Sequence, residues 1–404
     1  MRDANEARAI ERCRTVEREA RALSVTNLDR VLAAFRRVRL AQADLTGTNG
    51  YGYGDAGREK LESAFAELMG TEAALVRPQM ASGTQALSTM LRASVRPGER
   101  LVVAGPVYDT LVPLLDPTGA HPSSLVAGGR RIVSVPLAHD HLDHDAWQGA
   151  LLDADWVYVQ RSRGYQRRPS WAPEYLRDII ADAHRAGARA LVDNCYGEFT
   201  DVSEPGHWGA DLMAGSLLKN PGGGLATTGA YVAGRPHLVD RVADHIYGVG
   251  LGREMGPTGS WLREAWQGLF YAPHAVAEAL VGTAWAAALL DAAGLTVDPQ
   301  PDAWPRRDIV ITVTLPDKET LLRAVEAVQE VSPLDSFVRP EPWAMPGYAD
   351  PVVMAAGGFV AGGSLELSAD APVRPPWQLY LQGGVAREHT LIAARRIVSA
   401  LRTP

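Results

Sequence analysis

The chain reads as an α/β protein: a large domain built on a mainly parallel sheet, followed by a smaller C-terminal α+β domain. Three observations predict this. Short apolar runs alternate with amphipathic segments of helical period through the first three quarters of the chain, the pattern of strands joined by crossover helices and covered on both faces. After about residue 295 that alternation gives way to strand-rich segments and one closing helix. A chain of 404 residues, 46% hydrophobic and 22% charged, is also longer than one core usually organises. We therefore place an N-terminal arm and loop at 1–57, a large domain at 58–294 and a small domain at 295–404.

Each element has its own signal. Residues 1 to about 45 carry an amphipathic helical pattern, and 46 to 57 form a Gly/Tyr loop. "REKLESAFAELMG" is a helix with a Gly stop, and "TQALSTMLRASVRPG" is a helix closed by Pro-Gly. "RLVVAG", "RRIVSVPL", "WVYVQ" and "ARALVD" are short buried strands, and "PEYLRDIIADAHRAG" opens with Pro and stops at Gly as a helix does. The apolar run Ala279 to Leu290, between Glu278 and Asp291, falls short of the roughly 20 residues of a membrane span and reads as a buried core helix. In the small domain, "DIVITVTL" and "LELSADAPVRPPWQLYLQGG" are strand-like, while "DKETLLRAVEAVQEV" and "REHTLIAARRIVSALR" are helical.

Bulk properties narrow the function classes. The formal charge is −7 with no isolated Lys/Arg block, which argues against nucleic acid or an anionic membrane as partner and for small-molecule chemistry. Only Cys13 and Cys195 occur, without a C-x-x-C, which fits a reducing compartment and argues against a disulfide framework or structural zinc. The charged N-terminus lacks the apolar core of a signal peptide, so the expected location is the cytoplasm.

Gly52, Gly54 and Gly57 spell G-x-G-x-x-G in "GYGYGDAG". A dinucleotide loop must follow a buried strand, and the preceding "LAQADLTGTN" is polar, so this loop is not read as one. Further on, Ser82-Gly83-Thr84 opens a helix, where free N–H groups and small side chains admit an anion; Ser82 is equally an ordinary N-cap. Asp193 closes the strand "ARALVD", and Lys219 stands in "SLLKNPGGG" among small residues. An Asp on a strand tip and a Lys some two dozen residues later point to pyridoxal phosphate, the lysine holding the aldehyde and the carboxylate pairing with the ring nitrogen. Ser82 to Thr84 would then take the phosphate, and Tyr108, just after "RLVVAG", would stack on the ring. His139, His141 and His144 lie in a polar turn and are not read as a metal site, and Cys195 reads as a buried thiol.

The segments "GYGYGDAGREKLE", "SGTQALS", "VYDTL", "VDNCYGEF", "SLLKNPGGG", "MPGYAD" and "SADAPVRPP" resemble the aluminium-resistance, methionine γ-lyase-like family of fold-type I pyridoxal-phosphate enzymes, from about residue 45 onward. The resemblance implies the fold-type I transferase fold with its mainly parallel sheet of the seven-stranded type, Lys219 as the Schiff-base lysine, Asp193 as the partner of the pyridine nitrogen, and Ser82, Gly83, Thr84 and Ser216 around the phosphate. It implies that Tyr51, Tyr53 and Arg58 form a loop reaching the phosphate of a neighbouring subunit, hence a homodimer or homotetramer with shared sites. Arg374 is the expected holder of the substrate carboxylate, with Arg163 in reserve. The implied reaction is γ-elimination on an L-amino acid, of a thiolate or a halide, with Tyr108 as the acid. Gly358, Ala361 and Gly363 depart from the family pattern toward smaller groups, and specialised relatives in natural-product pathways extend the expectation to a vinylic chloride, 4-chloroallylglycine, eliminated to the alkyne propargylglycine. Methionine or cystathionine cleavage at the γ- or β-position, an aminotransferase, and a non-catalytic binding module are the alternatives.

Overall fold

The structure, a computed structural model, describes residues 2–166, 168–363 and 365–402. Seven strands form the large sheet: β1 (Ala73–Arg77), β2 (Arg100–Ala104), β3 (Arg131–Val135), β4 (Trp156–Gln160), β5 (Arg189–Asp193), β6 (Leu212–Ser216) and β7 (Ala230–Gly234). Their order is β1-β7-β6-β5-β4-β2-β3, parallel from β3 through β6, with β7 antiparallel to both of its neighbours. The register sets Gln160 beside Asp193 and Asp193 beside Ala214, so the carboxyl ends of three central strands finish together. That edge is where open α/β sheets take their ligands.

Apolar residues cover both faces. Leu61, Phe65, Leu176, Ile179 and Trp266 belong to the core on one side, and Leu87, Met90, Leu238 and Val242 to the core on the other. The second face is made by the helices Gly83–Ser94 and Pro236–Tyr247. In the large sheet, β1, β6 and β7 lacked a clear sequence signal. β7 reads "AYVAG", and Ala and Gly are poor strand formers; its burial on both faces, not propensity, keeps it extended.

The small sheet consists of β8 (Thr296–Asp298), β9 (Val310–Thr314), β10 (Val352–Ala355), β11 (Ser368–Pro372) and β12 (Gln378–Gln382), ordered β8-β9-β12-β11-β10 and antiparallel throughout. Leu321 and Val325 from the helix Lys318–Gln329 and Ala394 and Ile397 from Arg387–Arg402 fill its core. Ala9, Cys13 and Val16 of the N-terminal helices join them.

The apolar run expected at Ala279 to Leu290 is the end of a 32-residue helix, Trp261–Ala292, with Pro273 inside it. Its first half lies in the large-domain core and its last turns in the small-domain core. Among the described residues it is the one helix long and apolar enough to cross a membrane, and 83% of its apolar window is buried inside the protein. A helix surrounded by two cores of its own chain has no need of lipid.

Candidate active site

A cavity of about 460 Å³ opens at the carboxyl ends of β4 to β6, and Ser82, Gly83, Thr84, Tyr108, Asp193, Ser216 and Lys219 all line it. Residues spread over more than a hundred positions of sequence thus meet in one place.

The helix Gly83–Ser94 points its N-terminus at the cavity. Ser82 is its N-cap, its Oγ accepting from the Gln85 amide at 3.2 Å. A Cβ at Gly83 would lie 3.1 Å from both Cys195 Sγ and Ser216 Cβ, so glycine is what leaves this bay open. Thr84 Oγ1 is 3.0 Å from Thr110 Oγ1, and Ser216 Oγ accepts from the Leu218 amide at 3.2 Å. Hydroxyls and unpaired first-turn amides at the positive end of a helix form an anion site.

Asp193 ends β5 and is almost fully buried. Its Oδ1 accepts from the Cys195 amide at 3.0 Å, and the Tyr158 hydroxyl stands 3.5 Å from Oδ2. Burial pushes this carboxyl up, while the Cys195 amide and the charge of Lys219 pull the other way. Lys219 lies across the cavity with its Nζ 3.7 Å from the centroid of the Tyr196 ring. Burial opposes its charged form, yet Tyr196, Cys195 and Asp370 outweigh burial and hold the amine above the ordinary lysine range.

The turn that carries Lys219 is fastened from beneath. Asn220 Nδ2 donates to the carbonyls of Tyr196 at 3.0 Å and Glu198 at 2.8 Å. Tyr196 itself sits at φ +69°, a left-handed conformation that non-glycine residues adopt only where the surroundings impose it. The glycines after Lys219 let the chain run tightly against itself and the long helix. A Cβ on Gly223 would collide with the Gly268 carbonyl, one on Gly268 with the Gly222 carbonyl, and one on Gly222 with the carbonyl of Leu217. The lysine turn is therefore pressed against the Trp261–Ala292 helix.

Tyr108 donates its amide to Gln160 Oε1 at 2.6 Å, and its hydroxyl shares a hydrogen bond with that of Tyr348. Tyr165 packs against both rings, at 5.6 and 5.9 Å between centroids, and gives its own hydroxyl to Asp370 Oδ2 at 2.7 Å. Burial lifts the Asp370 carboxyl to about 6.

Other candidates lie outside this cavity. Tyr51 and Tyr53 are 60% and 54% exposed and stack on each other with centroids 5.5 Å apart. Arg58 is buried, not extended: its guanidinium donates to the carbonyls of Gly52, Glu254 and Gly256 and so clamps the loop from below. The G-x-G-x-x-G loop packs on residues 256–259 through Gly256 N to Tyr51 O and Gly259 N to Thr48 O, and no strand feeds it. Arg374 binds Asp350 Oδ2 at 2.7 Å and is part exposed. Arg163 is buried and occupied by Asp298 and by Thr312 Oγ1 of the small sheet, which makes it a tie between the two domains. His141 packs edge-on against Tyr175 at 4.8 Å. Sequence reasoning missed Tyr196, Tyr348 and Asp370. Tyr196 stands three residues after Asp193 in the quoted "VDNCYGEF", and Tyr348 and Asp370 fall in the quoted "MPGYAD" and "SADAPVRPP", but nothing in those segments says that they reach a cavity built by the large sheet.

These residues fit pyridoxal phosphate. The donor set offers an anion bay that a single methyl group at Gly83 would crowd, a buried carboxylate for a ring cation, and a buried primary amine between them. The sequence model of methionine gamma-lyase matches residues 3–402. A solved structure from Listeria monocytogenes, described as a candidate cystathionine beta-lyase involved in aluminium resistance, is 40% identical with a TM-score of 0.94, covering 98% of this chain and 99% of that one. A carbon-sulfur lyase involved in aluminium resistance from Clostridium novyi is 36% identical with a TM-score of 0.92, over 98% of this chain and 95% of that one. The YnbB protein of Bacillus subtilis is 40% identical over 96% of this chain and 93% of its own length.

Proposed function

This chain belongs to the methionine gamma-lyase family, and from that premise we propose that it, a pyridoxal 5′-phosphate-dependent lyase, removes a thiolate or a halide from Cγ of an L-amino acid. The observation that carries the reading is the meeting of Lys219, Asp193 and the Gly83–Ser94 helix terminus around one cavity. When bound, the cofactor supplies an electron sink next to the substrate Cα. Lys219 would hold it through its Nζ, Asp193 would pair with its ring nitrogen, and Ser82, Gly83, Thr84 and Ser216 would surround its phosphate.

The chain's own groups then divide the work. Lys219, once free, takes the proton from Cα, where the charge-stabilising environment around its Nζ favours the resulting ammonium, and a second proton must leave Cβ before Cγ can expel its group. Tyr108, kept protonated by burial, is the donor for a leaving group that needs a proton. Arg374 would exchange Asp350 for the substrate carboxylate. Ala361 and Gly362 line the cavity, and this small-residue side supports a compact leaving group such as chloride. We further propose that the protein works in the cytoplasm as a homodimer or homotetramer, the exposed Tyr51–Tyr53 loop of each copy completing another copy's site.

Incubation of the holoenzyme with L-methionine, L-cystathionine and 4-chloroallylglycine tests this. Thiol or cysteine with 2-oxobutanoate and ammonia marks γ-elimination of sulfur. Chloride released together with propargylglycine marks the halide reaction. Pyruvate and homocysteine from cystathionine would mark β-elimination, the outcome that the description of the Listeria structure brings forward, and would overturn the γ-assignment. Transfer of the amino group to an oxo acid without ammonia would mark transamination.

A further inference from the structure

We propose that Tyr348 is a positioning residue that links Tyr108 to solvent, the two hydroxyls acting in series to protonate leaving groups that need a proton. The inference rests on the elimination chemistry above and deepens it at the same site. Tyr348 stands on the loop that roofs the cavity, where it lines the space together with Met345 and Pro346. Its hydroxyl is bonded to that of Tyr108, and the two rings meet edge to face at 6.0 Å and 88°. The roof packs closely on the cavity wall: a Cβ at Gly347 would already touch Thr110 at 3.3 Å.

The two tyrosines differ in their surroundings. Tyr108 is the more deeply enclosed, backed by Tyr165 and Gln160, and burial holds its hydroxyl well above the ordinary range. Tyr348 lies between exposed residues Gly347 and Ala349. Burial raises it too, but the bond to Tyr108 works against that rise. A proton lost from Tyr108 can be replaced from Tyr348 across the hydrogen bond that the two hydroxyls already share. Asp370, Tyr196 and Asp109 are the other titratable groups acting on Tyr348, and none stands between the two hydroxyls.

The Cβ–H electron pair forms the Cβ=Cγ double bond, its proton passing to the Lys219 amine once that amine has given up the proton from Cα; as the C–S bond breaks, its electron pair stays on sulfur, and the Tyr108 O–H proton moves to form S–H. The Tyr348 proton passes to Tyr108, and a solvent proton restores Tyr348. Chloride departs with its electron pair and takes no proton, so it should not depend on the relay.

Thiol and chloride release are measured on the holoenzyme, wild type and Tyr348→Phe, with a thioether and a chloro substrate. The loss of one buried hydrogen bond predicts thiol release reduced roughly tenfold, with chloride release within about twofold of wild type. Tyr108→Phe should lower thiol release at least as far as Tyr348→Phe does, and the double variant should lose no more than Tyr108→Phe alone. In the wild type, a proton inventory in mixed H₂O/D₂O should be curved for thiol release, because two protons move, and flat for chloride. Equal losses on both leaving groups, multiplying losses in the double variant, or a linear inventory for thiol release would each overturn the relay. If sulfur leaves only from Cβ, the γ-assignment fails, yet the comparison stands, because a β-thioether and β-chloroalanine pose the same question.

Discussion

At the scale of single residues, burial decides which groups react. Lys219 is an amine enclosed by Tyr196, Cys195 and Asp370, so Lys219→Ala should abolish the visible absorbance of the loaded protein and lower kcat by roughly 10³ or more; absorbance and ammonia release check both. Glu198, beneath the site, accepts from Tyr231 at 2.9 Å, and burial raises its carboxyl from the model-peptide value of 4.5 to about 8. The folded chain therefore holds one more proton than the unfolded chain between those values. Its contribution to stability is complete below pH 4.5 and is lost as pH rises through 8. Glu198→Gln, which imitates the protonated group, should flatten the fall of Tm between pH 5 and 8 and melt higher than wild type at pH 8.5. A variant whose Tm retains the full wild-type slope would contradict this.

At the scale of elements, the start of the Gly83–Ser94 helix and the Lys219 turn carry the site. Gly83→Ala sets a methyl 3.1 Å from Cys195 Sγ and Ser216 Cβ, so it should weaken cofactor retention roughly tenfold, equal to about 1.4 kcal/mol, while the cofactor-free chain melts almost unchanged. Equilibrium dialysis with melting curves separates the two effects. Strand and helix periodicity made β2 to β5 and the helices around them legible from local sequence. Asp193 and Lys219 were legible because one ends a clear strand and the other stands in a distinctive small-residue run. The meaning of the triple glycine was not, since the Gly222–Gly268 contact depends on a helix some fifty positions away. Tyr348 and Asp370 stood in recognisable segments, "MPGYAD" and "SADAPVRPP", but their place beside the site was not legible, because the small domain supplies them and only its folding against the large sheet brings them there.

For the whole molecule, the Trp261–Ala292 helix contributes buried residues to both cores and so ties them together. The exposed, mutually stacked Tyr51 and Tyr53 are the surface feature through which a second copy would act. Mixing Lys219→Ala with a Tyr51→Ser/Tyr53→Ser variant should regain roughly a quarter of wild-type activity, because random exchange in an isologous dimer leaves one complete site in half the molecules. No recovery, with exchange confirmed by mass, would mean that each chain completes its own site.

The central claim is the covalent attachment point. Borohydride reduction of the purified holoenzyme, proteolysis and mass spectrometry should find the phosphopyridoxyl group on the peptide containing Lys219 and nowhere else. That peptide recovered unmodified, with the cofactor fixed to a different lysine or not at all, would contradict the account.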